Sequence, residues 1–321
     1  MDKLIFFTTA TFFFTLFGTK YLKNYLEKRK IFDIPNQRSS HSKPVPTGGG
    51  LIINLCILGI IFFLDPYDKI PAIIAIVGLG FISWKNDIKN INVIIRLLFQ
   101  ILFISFYFLY LFNIGFYEQN QLIHILFTIL IFTWFINIFN FMDGIDGISG
   151  TMTITICIGI IFAYLVNNSQ YFPSFEILII GTCLAFLYWN WNPAKIFLGD
   201  VGSIVLGFVC VLSLYWLLLD GNTWHWSISL AMYYVLDTTL TLINRFISGK
   251  KIWQAHKEHY YQKAVQSGMS HSTVVKLIIT LQTLIIATCY FIENPYLVIF
   301  LTFLESMGLI IYFSSKYKKS T

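Results

Sequence analysis

Hydrophobic residues in this chain form long runs that are separated by short polar segments. Each run covers roughly 15 to 20 residues, and at about 1.5 Å per residue a helix of that length can cross a lipid bilayer. The pattern continues from one end of the chain to the other. It predicts eleven membrane-spanning helices, at residues 4–20, 49–64, 70–84, 93–112, 122–139, 151–166, 175–189, 203–219, 226–244, 274–292 and 296–313.

The composition indicates the same environment. Apolar residues make up 56% of the 321 residues and charged residues only 12%, a balance that a water-soluble domain of this length does not have. We therefore predict an all-α fold, a polytopic transmembrane helix bundle with about 11 spans. Residues 1–321 are expected to form a single integral-membrane domain, and the first span is interpreted as a retained anchor because no small-residue cleavage site follows it.

Basic residues predict the orientation of the bundle. If the N-terminus lies outside, only Lys3 and Lys69 of the 22 Lys and Arg residues fall in outer loops. Because basic residues in short loops stay in the cytoplasm, the sequence predicts an outside N-terminus and a cytoplasmic C-terminus. The net charge of +6 is explained by anionic lipid headgroups, so no nucleic-acid partner is expected.

Polar residues concentrate on the same predicted cytoplasmic side. They form five clusters, within residues 33–50, 86–96, 137–147, 190–203 and 237–262, whereas the outer loops are short and plain. Polar groups are costly near hydrocarbon unless they bind something. The chemistry of the protein is therefore predicted at the cytoplasmic face.

The first two clusters each leave two interpretations open. A triple glycine at residues 48–50 suits either phosphate binding or close helix packing, and the nearby Arg38 and His41 favour anion binding. Asn86 and Asp87 end the third predicted span, where a carboxylate is either a solvated cap or part of a site.

The next two clusters favour function more strongly. Asn137, Asn140, Asp143 and Asp146 lie at the end of an apolar span, and an Asp-Gly turn between helices explains the glycines there but neither asparagine. Asp200 lies at the start of the eighth span, with a glycine close to it on either side. It is either an N-cap of that helix or a residue that a metal-bound phosphate can approach.

The remaining candidates are amide, basic and histidine side chains. Asn190 and Lys195 belong to the fourth cluster, where Lys195 would neutralise a diphosphate. Arg245, His256 and His259 belong to the fifth. Two histidines three apart share a helix face and make zinc conceivable, but no third ligand is evident, so contacts to phosphate or sugar hydroxyls are favoured.

A few polar residues are interpreted as lying outside the chemistry. His124, His225 and His271 are interpreted as non-catalytic, and the five cysteines as small core residues without a disulfide or zinc framework. Glu305 either pairs within the bundle or marks a shifted helix boundary.

These motifs resemble those of the polyprenyl-phosphate N-acetylhexosamine-1-phosphate transferases, which begin the lipid intermediates of peptidoglycan, enterobacterial common antigen and O-antigen. The resemblance covers nearly the full chain and rests on ordered segments at residues 33–50, 140–147, 193–203 and 256–262. The histidine motif of the last segment resembles the O-antigen and capsule branch more than the peptidoglycan branch. The resemblance implies transfer of an N-acetylhexosamine-1-phosphate from UDP to undecaprenyl phosphate, with release of UMP, at the cytoplasmic face of a bacterial inner membrane.

The resemblance also implies a cofactor, partners and residue roles. The cofactor would be Mg²⁺, or alternatively Mn²⁺, held by Asp200, Asp87 and Asp146, and the partners would be the two substrates, membrane lipid and a second copy in a homodimer. The implied catalytic residues are Asp87, Asp143, Asp146 and Asp200. The implied substrate-binding residues are Arg38, His41, Asn86, Asn137, Asn140, Asn190, Lys195, Arg245, His256 and His259.

One position departs from the family pattern, because Asn86 precedes Asp87 where the family has two aspartates. A phosphate monoester has a second pKa of about 6, so near neutral pH the acceptor is mostly a dianion and a base is dispensable. Activity is therefore expected. Two alternatives stay open, a catalytically inactive relative that serves as a lipid or nucleotide-sugar binding or assembly subunit, and a membrane transporter, which would spread its polar residues across the bilayer midplane.

Overall fold

The computed structural model describes residues 2–35, 40, 43–64, 68–118, 121–167, 172–254 and 256–320. Within these ranges the chain forms twelve α-helices and one β-hairpin. The helices are α1 (Asp2–Lys28), α2 (Gly50–Leu64), α3 (Lys69–Ile88), α4 (Val93–Asn113), α5 (Leu122–Phe141), α6 (Ile148–Val166), α7 (Ser174–Asn190), α8 (Asp200–Leu219), α9 (Trp224–Ile247), α10 (Tyr260–Gln266), α11 (His271–Phe291) and α12 (Pro295–Ser320). Strand β1 (Phe32–Asp33) pairs antiparallel with β2 (Val45–Pro46).

Every predicted span coincides with one long helix, and the all-α polytopic membrane fold is confirmed. Eight helices are long and apolar enough to cross a membrane, namely α1, α3, α4, α5, α6, α8, α11 and α12, and α2 and α7 are shorter apolar helices. Helix α9 is not among them because its sequence is more polar, with Asp237 and Arg245 in its second half. The short helix α10 was not predicted.

Helix α8 lies at the centre of the bundle. It is apolar on all sides, as is typical of a helix surrounded by protein, and α2, α3, α5, α6 and α9 pack around it. The approach of α2 is especially close, since a Cβ atom added to Gly50 would lie 2.1 Å from the Cα atom of Gly202. Glycine at both positions allows the two backbones to touch.

The triple glycine at residues 48–50 is a packing element. The amides of Gly48 and Gly49 donate to the carbonyl of Phe197 at 3.2 and 2.9 Å, and the amide of Gly50 donates to the carbonyl of Leu198 at 2.9 Å. These amides are used within the protein, which favours the packing interpretation over phosphate binding. The contact fixes the segment that leads into α8 against the start of α2.

Two other sequence interpretations concern the bundle interior. All five cysteines are buried and unpaired, as expected of small core residues. Glu305 accepts a hydrogen bond from the hydroxyl of Thr288 at 2.6 Å, so of the two alternatives for this residue the structure favours pairing within the bundle.

Candidate active site

A polar cavity of about 450 Å³ lies at the end of the bundle where α3, α5 and α7 finish and α8 begins. We call this end the polar end. Eight residues that the sequence analysis selected line the cavity: Asn86, Asp87, Asn140, Asp143, Asp146, Asn190, Asp200 and His256. The four aspartates come from three separate parts of the chain, the end of α3, the connection between α5 and α6, and the start of α8, and they meet in this one cavity.

One side of the cavity, here called the helical wall, consists of the end of α3 and the start of α8. Asp87 accepts hydrogen bonds from the backbone amides of Asp200 and Val201, at 2.8 and 3.0 Å. The first amides of a helix lack partners within that helix, and a carboxylate at this position also compensates the helix dipole. Asp87 therefore caps α8 from a different helix and fixes the backbone of Asp200.

The carboxylate of Asp200 is held by donors from three helices. Its Oδ2 atom accepts from the amide of Asn86 at 2.8 Å and from the guanidinium of Arg96 at the start of α4. Its Oδ1 atom accepts from the amide of Asn140 at 3.0 Å, and Asn140 also donates to the hydroxyl of Ser203 at 2.8 Å. Asp200 thus has a fixed orientation and a compensating positive charge.

The opposite side, here called the loop wall, consists of residues 141–147 and 256–271. Asp143 in this wall accepts a hydrogen bond from the hydroxyl of Ser149 at 2.7 Å. Burial raises the pKa of Asp143 to about 8, and the negative charges of Asp200 and Asp146 contribute to the increase. Near neutral pH this side chain is mainly a neutral carboxylic acid that can donate a hydrogen bond.

Asp146 differs from Asp143 in its charge state. Its Oδ2 atom accepts from the amide of Asn192 at 2.8 Å and from the backbone of Ala194 at 3.1 Å, and it lies 3.2 Å from Nδ1 of His271. Burial alone would raise the pKa of Asp146, but the hydrogen bonds from His271, Asn192 and Ala194 outweigh it and the pKa is lowered. Asp146 is therefore a carboxylate at neutral pH.

Asn190 holds the turn at Gly147 in the loop wall. Its side-chain oxygen accepts from the backbone amide of Gly147 at 3.0 Å, and its amide donates to the carbonyl of Ile196 at 2.9 Å. Gly147 has a φ of 78°, which a residue with a side chain adopts only with strain. Asn190 lines the cavity, but its polar atoms position the turn.

The second part of the loop wall depends on a buried carboxylate in α9. Asp237 is fully buried and accepts from the backbone amides of Tyr260 and Tyr261, at 3.0 and 3.1 Å, at the start of α10. His259 lies 3.2 Å from the same carboxylate. The hydroxyl of Tyr261 then donates to the carbonyl of Phe141 at 3.0 Å, which joins the two parts of the wall.

Four predicted substrate-binding residues lie within the described chain but do not line the cavity. His259 is buried against Asp237, and Arg245 pairs with Glu258. Lys195 is exposed, with its ammonium group 5.0 Å from the ring centre of Tyr188. The structure does not bring these three side chains to the polar cavity.

Asn137 is the fourth of these residues. Its amide donates to Gln100 and to the carbonyl of Thr133, both at 2.7 Å, and links α5 to α4. Arg38 and His41, the two candidates from the first cluster, lie outside the described residues.

His256 lines the cavity with an unusual charge state. Burial lowers its pKa to about 4, and the neighbouring His259 and Arg245 contribute to the decrease. Near neutral pH the ring is uncharged, so it can contact a phosphate or sugar hydroxyl by hydrogen bonding but does not supply a positive charge.

Sequence reasoning did not select four side chains that contact the cavity aspartates, and the first of them, Ser149, donates to Asp143. His271 was interpreted as non-catalytic, and the structure places it in the cavity wall, in contact with Asp146. Arg96 and Asn192 bind Asp200 and Asp146, although neither was selected. The sequence did give a signal for Arg96, because it is a cation in the first turn of a predicted membrane span.

The donor atoms of the cavity suit a hard divalent cation. Among the described residues no group of three or more His, Cys, Asp or Glu side chains is arranged to hold a metal ion. Mg²⁺ does not need one, since it is usually held by one or two carboxylates together with substrate phosphates and water. Asp200, beside Asp87 at the start of α8 and in the same cavity as the ionised Asp146, fits that chemistry, because a cation would reduce the repulsion between carboxylates.

Known proteins resemble this chain over most of its length. A probable undecaprenyl-phosphate N-acetylglucosaminyl 1-phosphate transferase of Bacillus subtilis is 27% identical over 276 residues, which cover 81% of this chain and 76% of the relative. A decaprenyl-phosphate N-acetylglucosaminephosphotransferase of Mycobacterium leprae is 26% identical over 312 residues, covering 82% of this chain and 77% of that protein.

A further relative has higher identity over a shorter alignment. The phospho-N-acetylmuramoyl-pentapeptide-transferase of Dictyoglomus turgidum is 33% identical over 236 residues, which cover 67% of this chain and 75% of the relative. The family profile described as Glycosyl transferase family 4 matches residues 70–218, which run from the start of α3 to the end of α8 and include all four cavity aspartates. These similarities confirm the family that the motifs predicted, and the chain belongs to glycosyl transferase family 4.

Proposed function

We propose that this protein transfers an N-acetylhexosamine-1-phosphate from a UDP-sugar to undecaprenyl phosphate, giving a lipid diphosphate sugar and UMP. Its relatives are named as transferases of sugar phosphates, two of them onto polyprenyl phosphates. The observation that carries the proposal is the meeting of Asp87, Asp143, Asp146 and Asp200 in one cavity. A reaction between two phosphorylated molecules needs charge compensation and alignment more than covalent catalysis.

In the proposed reaction a phosphate oxygen of the lipid attacks the sugar-bearing β-phosphorus of the donor in line with the leaving group. The bond from that phosphorus to the oxygen bridging the two donor phosphates breaks, and the bridging oxygen leaves with UMP. A bound Mg²⁺ or Mn²⁺, held by Asp200 with Asp87 and Asp146 nearby, would supply electrostatic stabilisation of the phosphates.

The protein's own residues orient the reactants. Asp87 fixes the backbone of Asp200 through two amide hydrogen bonds, and Asn140 fixes its side chain. Asp143, as a neutral acid, would donate a hydrogen bond to a phosphate oxygen of the donor. His256, as a neutral ring, would contact the sugar or its phosphate.

We further propose that the polar end faces the cytoplasm of a bacterial inner membrane, with the N-terminus outside. The support is the one-sided distribution of Lys and Arg residues, together with the location of the cavity at one end of the helices. A pathway of the O-antigen or capsule type and assembly as a homodimer are part of the same proposal and rest on family resemblance.

The test is UMP release by the purified full-length protein in detergent, with undecaprenyl phosphate, a panel of UDP-N-acetylhexosamines and Mg²⁺. We expect one donor to give UMP and a lipid-linked sugar in equal amounts, and chelation with EDTA to abolish both products. The panel also identifies the sugar.

The alternative functions predict different results in this assay. A catalytically inactive relative would bind the lipid or the UDP-sugar but form no product, and a transporter would form none while moving a solute across vesicles. Absence of product with every donor, in a preparation that binds undecaprenyl phosphate, would contradict the proposed function.

A further inference from the structure

Arg96 lies at the boundary between the polar cavity and the membrane-facing surface of the bundle. It belongs to the first turn of α4, which Asn92 caps by accepting from the amide of Ile94 at 2.8 Å. The side chain of Arg96 is 23% exposed. Apolar neighbours in the same two turns are exposed, namely Val93, Ile94, Ile95, Leu97 and Leu98.

The guanidinium of Arg96 has hydrogen-bonding capacity that the protein does not use. One terminal nitrogen contacts Asp200, whereas Nε is buried and has no hydrogen-bond partner among the described residues. A buried donor without a partner costs about 1 to 3 kcal/mol, so such an atom calls for an explanation. A ligand that supplies oxygen acceptors would satisfy it.

Charge gives a second reason to expect an anion here. Within the described residues Arg96 is the one Lys or Arg side chain that pairs with any of Asp87, Asp143, Asp146 and Asp200. A planar guanidinium with several donors matches a phosphate group better than a point charge does. Arg96 is thus the described cation best situated to attract a phosphate into a cavity that is otherwise acidic.

Asn86 allows Arg96 to leave Asp200 without leaving that carboxylate unpaired. Its amide donates to the same Oδ2 atom of Asp200 that Arg96 contacts, so Asp200 would keep a donor from Asn86 if Arg96 moved. An aspartate at position 86 would instead add a negative charge beside an incoming phosphate. The amide at this position therefore lowers the repulsion that a phosphate meets next to Arg96.

Building on the proposed function, we propose that Arg96 binds the phosphate of the acceptor lipid, and that its pairing with Asp200 is the contact it exchanges for that phosphate. The acceptor's apolar chain stays in the membrane, so its phosphate must enter from the lipid side. The first turn of α4 combines a lipid-facing apolar surface with a cation that reaches the cavity. The donor diphosphate, in contrast, would enter from water and would not depend on Arg96.

The first experiment compares Arg96→Gln with wild type in steady-state UMP release. We expect the KM for undecaprenyl phosphate to rise about tenfold or more, as for loss of a charge-assisted hydrogen bond, and the KM for the UDP-sugar to change less than about twofold. Arg96→Lys keeps the charge but not the planar fork and should give an intermediate KM. Lys89→Gln, which removes an exposed cation from the same connection, is the matched control and should resemble wild type.

The second experiment does not require catalysis, so it separates this inference from the proposed function. Binding of undecaprenyl phosphate and of undecaprenol is measured by native mass spectrometry on each variant, without the UDP-sugar. Wild type and Lys89→Gln should prefer the phosphate by about tenfold or more, and Arg96→Gln should lose that preference. Inorganic phosphate as competitor distinguishes a site for the lipid phosphate from a site for any free phosphate.

Two results would overturn the inference. One is an Arg96→Gln variant that still prefers the lipid phosphate over the alcohol. The other is loss of kcat with both KM values unchanged, which would mean that Arg96 acts only by holding Asp200. If Arg96→Gln does not fold, as judged by its elution from a sizing column, the same comparisons with Arg96→Lys decide the question, with an unchanged KM and preference counting against the inference.

Discussion

The two walls of the cavity hold their carboxylates in different ways. In the helical wall, Asp200 lies at a helix start and receives donors from Asn86, Arg96 and Asn140, on three other helices. In the loop wall, Asp143 has a hydrogen bond from Ser149 six residues away, and its pKa is raised to about 8. One cavity therefore contains a carboxylate with a compensating cation and a carboxylic acid that is mainly neutral near pH 7.

This difference indicates separate tasks for the two walls. A carboxylate with fixed orientation suits binding of a divalent cation, whereas a neutral acid suits hydrogen-bond donation to a phosphate oxygen. The helical wall is formed by the ends of two long helices, α3 and α8, that pack against each other. The loop wall is held by single hydrogen bonds from residues distant in the sequence, such as Tyr261 to Phe141, and it should be easier to perturb.

The largest expected effect is in the helical wall. Asp200→Asn should lower kcat for UMP release by about a thousandfold, because the amide replaces the anionic ligand that the proposed cation needs. Asp220→Asn changes an exposed aspartate at the opposite end of α8 and is the matched control. A loss of less than about tenfold in Asp200→Asn would remove the helical wall from the mechanism.

The second-largest effect is expected when a substitution in α9 removes contacts that hold the loop wall in place. Asp237→Asn should lower activity by about a hundredfold, because the amide can no longer accept strongly from both the Tyr260 and Tyr261 amides and contact His259. Hydrogen–deuterium exchange at residues 256–266 should increase, while exchange at the start of α8 should not. Faster exchange at both places would mean that the walls are not independent.

The third effect concerns His271, which the sequence did not suggest as a site residue. His271→Ala should lower activity about tenfold, since Nδ1 accepts a hydrogen bond from the backbone amide of Asp146 at 3.3 Å and lies 3.2 Å from its Oδ2 atom. His271→Asn keeps a polar atom near the position of Nδ1 and should restore most of the activity. Equal losses in the two variants would show that the whole ring is needed, for instance as a direct ligand of a substrate.

The smallest expected effect on activity is that of Asp143→Asn, which resembles the neutral acid and should keep more than about a tenth of the activity at pH 7. The pH dependence of stability distinguishes the wild type from Asp143→Asn better than activity does. The folded protein keeps the proton on Asp143 up to about pH 8, whereas the unfolded chain loses it near the ordinary pKa of 3.8. Wild type therefore loses stability as the pH rises from about 4 to about 8, and Asp143→Asn lacks this contribution.

This pH dependence can be measured as the melting temperature in detergent with EDTA between pH 5 and pH 9, a range that covers most of the window. The wild-type curve should fall more steeply than that of Asp143→Asn. Added Mg²⁺ should reduce the difference, because a nearby cation lowers the pKa of the acid. Parallel curves with EDTA would contradict the assignment of Asp143 as a neutral acid.

Much of the fold follows from the sequence for one physical reason. A backbone in hydrocarbon must satisfy its own hydrogen bonds, so each long apolar run becomes a helix whose ends lie near polar residues. Asp87, Asn140 and Asp200 each lie at or near such an end, which is why their common location was predictable. The short helix α10 lacks an apolar run of that length and gave no comparable signal.

The contacts within the site were less predictable because they join residues far apart in the chain. His271 contacts Asp146, which lies 125 positions away in the sequence, and Arg96 contacts Asp200, which lies 104 positions away. A motif also does not indicate which way its side chains point. His256 and His259 belong to one motif, yet His256 lines the cavity and His259 is turned toward the buried Asp237.

The most direct test of the central claim is a titration of the purified protein with Mn²⁺, followed by electron paramagnetic resonance, in the presence of UDP-N-acetylglucosamine. If carboxylates of both walls serve one cation, wild type and Asp220→Asn should bind one Mn²⁺ with equal affinity, whereas Asp200→Asn should lose the site and Asp146→Asn should bind more weakly. Unchanged Mn²⁺ binding in both Asp200→Asn and Asp146→Asn would contradict the account.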